Sequence, residues 1–198
     1  MPFTFKPAPS LLRLLGSLFD ALYTPSFLVL TLYGKFRLEQ ESLLTKSNFP
    51  YTILRIANIY GHQNFCVSKF NNVIDKFISN IFSNQEISLY GDGTQLVDFV
   101  HIDNFLKILN QIIDDKSKNE IYNISNEFRM SISDIVNDMK NIAETKYNIS
   151  VQLNKRDDDP LPNIPNTSTS KIQKKFLWKN SQNMNLKLES MFENIKNS

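Results

Sequence analysis

Tyr33 and Arg37 stand four residues apart in LYGKFRLEQE, at the start of a segment that reads as a helix. Positions i and i+4 of a helix lie on one face, one turn apart, so the two side chains can act on one ligand. A cation beside a phenol favours the phenolate, which is how a tyrosine becomes a general base. Lys35, two positions on from Tyr33, points to nearly the opposite side and cannot take that role. An isolated Y-x-x-x-R has a second reading, a packing tyrosine next to a solvated arginine, and the pair alone does not choose between them.

The elements around the pair follow from pattern. Residues 33–47 read as a helix, and YTILRIANIY at 51–60, bounded by Pro50 and Gly61, as a strand. Phe70, Val73, Ile74, Phe77, Ile78 and Ile81 recur at three and four, the period of an amphipathic helix. EISLY reads as a short strand entering a GDG turn at 91–93, where glycine tolerates positive φ. Phe105, Leu109, Ile112 and Ile113 mark another helix, EIYNIS another strand. Ser131, with Asp134 three residues on, caps a helix whose stripe is Ile132, Ile135, Val136, Met139 and Ile142. ISVQL reads as a strand, RDDDPLPNIPN at 156–166 as a loop, and two short helices close the chain. Strands alternating with helices indicate a layered α/β fold.

Composition bounds the function. The 198 residues are 41% hydrophobic and carry 22 basic against 20 acidic side chains, net +2, with the lysines scattered. That argues against nucleic acid or an anionic membrane as partner. The single cysteine, Cys66, excludes an internal disulfide framework and suits a reducing, cytoplasmic setting. The apolar stretch 11–32 is interrupted by Arg13, Asp20 and Pro25, so neither a membrane span nor a signal peptide is expected from it. His62, His101 and Cys66 share no metal-ligand spacing, and no metal site is expected. Asp157–Asp159 read as a solvated face.

Company shifts the balance on the Tyr33–Arg37 question. YGKFRLEQE is followed in order by LRIANIYG at 54–61, LYGDGTQLVDFVHIDN at 89–104 and YNIS at 122–125, and four of the five glycines fall within these motifs. Together they resemble the NAD-dependent epimerase/dehydratase family, the extended short-chain dehydrogenase/reductases that act on nucleotide sugars, over roughly Tyr33 to Trp178. SKIQKKFLW at 170–178 is similar to that family's late helix ending in Gly-Trp, here Leu177-Trp178. The fold implied is the C-terminal part of a Rossmann-like extended short-chain dehydrogenase/reductase with a small α/β substrate-binding region. Residues 1–32 would be an unassigned apolar leader, 33–178 the family part and 179–198 a C-terminal helix.

The resemblance implies a role for each matching residue. Tyr33 matches the tyrosine that removes the proton of a sugar hydroxyl while hydride passes to NAD. Arg37 occupies the position of the lysine that binds the nicotinamide ribose. Asn58 matches an asparagine beside the substrate's sugar and phosphate, and Arg55 in the same motif has a structural role. The Tyr33 helix would form a homodimer contact, which exposed Phe36, Leu43 or Leu44 would suit. The activity implied is 4-epimerase-like, on a UDP- or dTDP-linked hexose.

Three departures qualify it. Arginine replaces lysine at 37, and a planar fork is not interchangeable with an ammonium. Val97 stands where the family usually places an arginine for the substrate diphosphate. Residues 1–32 hold no G-x-x-G-x-x-G turn for the NAD pyrophosphate, and Ser10, at the spacing of the family's serine, lies in surroundings unlike that strand. The expectation is therefore a chain whose nucleotide-binding half is missing, through truncation, a misread start or a frame change. The alternative is a non-catalytic nucleotide-sugar-binding or dimerising remnant.

Overall fold

The computed structural model describes residues 32–61, 72–115, 118–126, 128–157, 167–178 and 183–196. The leader through Thr31 with Ser10, and His62, Cys66, Phe70 and the 158–166 loop, lie outside these residues. Helix α1 (Leu32–Thr45) is followed by strands β1 (Thr52–Ile56) and β2 (Asn58–Tyr60), then α2 (Val73–Phe82), β3 (Ile87–Tyr90) and β4 (Leu96–His101). Next come α3 (Ile102–Asp114), β5 (Glu120–Ile124), β6 (Arg129–Ser131), α4 (Ile132–Tyr147), β7 (Leu153–Arg156), α5 (Ser170–Phe176) and α6 (Met184–Lys196).

The single strand expected over 51–60 is two strands with different partners. β1 runs parallel to β5, from Thr52 opposite Glu120 to Ile56 opposite Ile124, whereas β2 runs parallel to β4, with Asn58 opposite Phe99. The switch falls at Ala57, whose N–H still bonds Ile124 O at 2.8 Å. Residue type does not reveal it, because both halves are equally β-rich. β4 also takes β6 antiparallel on its other side, and β3 pairs β7 in parallel. That last strand was expected at ISVQL and begins four residues later. Ile149 N instead bonds Ala143 O to close the end of α4, so the chain is still leaving the helix there.

Two cores form on either side of β2 and β4. Alternation along a strand sends neighbours to opposite faces, so Tyr60 and Phe99 enter one core and Val100 the other. The first core gathers Ile74, Phe77, Ile78 and Ile81 of α2, Ile87 and Leu89 of β3, the α4 stripe and Leu188, Met191 and Phe192 of α6. The second gathers Leu54 and Ile56 of β1, Phe105, Ile108 and Ile112 of α3, Tyr122 and Ile124 of β5, Ile172 of α5 and Trp178. Ile113, expected on the apolar stripe, is 69% exposed; Ile108 takes the inward position. The caps form as expected: Ser131 Oγ accepts from Asp134 N at 3.0 Å, and Gly91 and Gly93 have φ of 55° and 75°.

Candidate active site

α1 presents the candidate pair. Its sequence is made largely of good helix formers, Leu, Lys, Arg, Glu and Gln, yet Gly34 is its only buried residue. Arg37 Nη2 donates to the Tyr33 hydroxyl at 2.9 Å, and the guanidinium carbon lies 4.9 Å from the Tyr33 ring centroid. Arg37 Nη1 donates to Gln40 Oε1 at 3.1 Å, while its Nε is buried with no hydrogen-bond partner. Tyr33 is 44% exposed.

One ion pair holds α1 to the sheet. Arg55 of β1 meets Glu41 with Nε to Oε1 at 3.0 Å and Nη2 to Oε2 at 2.6 Å, the bidentate geometry in which arginine binds carboxylate most strongly. That hydrogen bond, chiefly, raises the guanidinium above its usual range. Arg55 thus has the structural role expected of it. It fixes the helix that carries Tyr33 and Arg37 to the strand that leads into Asn58.

Asn58 is bonded elsewhere than the Tyr33–Arg37 pair. It opens β2, and its Nδ2 donates to Asp98 O at 3.1 Å across to β4. Asp98 is a residue that sequence reasoning passed over in favour of its neighbour Val97. Its carboxylate is buried and accepts from Ser125 Oγ and, at 2.9 Å, from Asn126 N. It therefore ties the NISN turn after β5 to β4. Gln40 and Glu41 were also passed over; the signal for Gln40 was its i+3 spacing from Arg37, while Glu41, whose partner Arg55 lies 14 residues on, had none.

His101 ends β4 and packs as a polar core residue. Its Nδ1 accepts from Asp103 N at 3.2 Å as the cap of α3, and its ring lies 5.0 Å from that of Tyr60. Burial, then the Lys187 charge, push the imidazole down to about 4, with Asp103 opposing. Burial likewise pushes the Tyr60 phenol up to about 12. Gly61 has φ +115°, and a Cβ there would stand 2.7 Å from His101 Nε2, so the glycine of LRIANIYG is fixed by this close approach. Among the described residues no group of three His, Cys, Asp or Glu could hold a metal ion, and no helix is long and apolar enough to cross a membrane.

The groups on α1 that could meet NAD are few. The Tyr33 hydroxyl and the two Nη N–H groups of Arg37 beyond those spent on Tyr33 and Gln40 have the chemistry to meet a hydroxyl-rich ribose. They offer nothing for the pyrophosphate.

Comparison with known proteins agrees with this layout. Residues 30–125 match the NAD dependent epimerase/dehydratase family. A UDP-N-acetyl-alpha-D-glucosaminuronate decarboxylase of Bacillus cytotoxicus is 29% identical over 100 residues, half of this chain and 31% of that protein. Human dTDP-D-glucose 4,6-dehydratase is 27% identical over 99 residues, half of this chain and 27% of that protein. Among solved structures, the UDP-glucose 4-epimerase of Thermotoga maritima with UDP-glucose superposes with a TM-score of 0.67 at 23% identity, over 83% of this chain and 53% of that one. UDP-glucuronic acid 4-epimerase of Bacillus cereus, solved with UDP-glucuronic acid and NAD, gives 0.69 at 23%, over 83% and 52%. The chain spans about half the length of these structures, and its fold is the α/β fold of extended short-chain dehydrogenase/reductases. In its ordered motifs and in the match across residues 30–125, this chain is similar to the NAD-dependent epimerase/dehydratase family.

Proposed function

We propose that the chain is the catalytic-helix and substrate-binding part of an NAD-dependent nucleotide-sugar epimerase or dehydratase, 4-epimerase-like, with Tyr33 as the base. The observation that carries this is the 2.9 Å bond from Arg37 Nη2 to the Tyr33 hydroxyl, inside the stretch that matches the family. NAD, when bound, supplies the hydride acceptor. Tyr33 takes the proton from a sugar hydroxyl at its phenolic oxygen, and Arg37 stabilises the negative charge that oxygen must carry before it does so. The remaining guanidinium N–H groups face the nicotinamide ribose. Asn58 orients the sugar from the head of β2. Phe36 and Leu43, 57% and 72% exposed on the same helix, suit a homodimer contact.

A second reading has its own observation. Val97 pairs with Met130 and packs against the first core, so no cation stands at the position the family uses for the substrate diphosphate. A nucleotide-sugar-binding or dimerising remnant would keep Asn58 and the α1 surface without turnover.

Isothermal titration of the purified chain with NAD and, separately, with UDP-glucose separates these. A chain without the nucleotide-binding half is expected to bind NAD poorly; heat with NAD would support the catalytic reading for this chain, and any NAD reduction should then fall about 10²–10⁴-fold in Tyr33→Phe. Binding of the sugar nucleotide alone favours the remnant, and silence for both refutes the catalytic and the nucleotide-sugar-binding readings for this chain.

A further inference from the structure

We propose that Gln40 is a positioning residue, holding the Arg37 guanidinium against the Tyr33 hydroxyl; this deepens the catalytic reading above. The guanidinium lies along α1 and is held from both ends. Nη2 reaches one turn back to Tyr33 at 2.9 Å, and Nη1 reaches three residues forward to Gln40 Oε1 at 3.1 Å. The cation also lies over the Tyr33 ring at 4.9 Å. The third nitrogen, Nε, is buried with no hydrogen-bond partner, so the two ends alone fix the rotation of the plane.

An arginine without Gln40 has many rotamers in which its fork points to solvent. A lysine could not use Gln40 in this way, since its single ammonium cannot donate from two separated nitrogens. Arg37 and Gln40 therefore form a matched set, in which the amide makes the longer and more flexible cation serve the tyrosine. Glu41, the next residue, faces Arg55 at 2.6 Å and is occupied there, which leaves Gln40 as the neutral acceptor for Arg37.

The test is arginine side-chain NMR on the full ¹⁵N-labelled chain, with no ligand, so that its outcome is independent of whether NAD or sugar nucleotide binds. Restricted rotation about the Arg37 Cζ–Nη bonds gives separate Nη signals in the unsubstituted chain. In Gln40→Met, which keeps the stem and the helix propensity but loses the amide acceptor, rotation about Cζ–Nη1 speeds up by about three- to fivefold, the loss of one partly exposed charge-assisted bond. Gln40→Glu restores the slow regime. Circular dichroism unchanged in both variants shows that α1 has not frayed. Equal rotation rates in Gln40→Met and the unsubstituted chain overturn the proposal, as does fast rotation in the unsubstituted chain. A chain that passes this test yet is silent in the titrations keeps its clamp and loses the catalytic reading.

Discussion

Helices α1 and α4 are held in place by different means. α4 buries Ile132, Ile135, Val136, Met139, Ile142 and Ala143, starts on the Ser131 cap and ends on Asn148 in the left-handed region at φ 54°. α1 buries only Gly34, has no acidic residue in its first turn, and leaves Leu32, Phe36 and Leu43 largely exposed. What fixes it among the described residues is the Glu41–Arg55 pair. The helix that carries the candidate pair is thus docked by polar geometry and α4 by burial. Burial tolerates sliding of similar side chains, whereas a bidentate ion pair specifies one orientation, which is what a reacting group requires.

The comparison breaks most visibly at Met139, fully buried in the first core. Met139→Ala is expected to cost about 2–5 kcal/mol in denaturant unfolding, with α1 and α4 lost together. Next in size is the pH dependence set by His101. Its imidazole titrates at 6.5 when unfolded and at about 4 when folded, so the unfolded chain binds the extra proton between those values. Stability therefore falls as pH drops from 6.5 to about 4, by at most about 1.4 kcal/mol per unit, and His101→Gln should flatten that part of the curve.

Arg55→Met sharpens the contrast. The pair is partly exposed, and its loss should cost about 1–2 kcal/mol locally. Hydrogen exchange should show α1 amides losing protection while those of α4 keep theirs; equal loss in both would mean that α1 is docked by more than this pair. The smallest effect tests helix ends. α5 stops at Leu177 with φ 50°, the conformation Asn148 adopts at lower cost. Leu177→Gly should raise stability by about 1 kcal/mol, and an unchanged midpoint would mean that the Leu177 side chain is held by packing.

Much of the scaffold was legible in the sequence. The α4 stripe and its Ser131 cap, the GDG turn and the pairing of chemistry on one face of α1 follow from period and residue type. The break at Ala57 was not, because partner exchange depends on which strands lie alongside and leaves no mark on propensity. β7 was misplaced for a related reason. Ile149 and Val151 look like strand residues, but they close the end of α4 and fill the first core, while the exposed Leu153–Arg156 makes the ladder with β3. At the site, Tyr33 and Arg37 were visible by spacing. Asp98 was not, since a carboxylate that ties down a turn 27 residues later has no local signature.

Val97 carries a consequence for any attempt to place a cation on β4. Its side chain and that of Met130 now fill part of the first core, on a face where the strand pattern leaves no alternative direction. An arginine placed there would have to displace apolar packing. Because Val97 and Met130 are only partly buried, such an arginine would lay its stem along that wall and carry its head to solvent, at a cost in apolar packing.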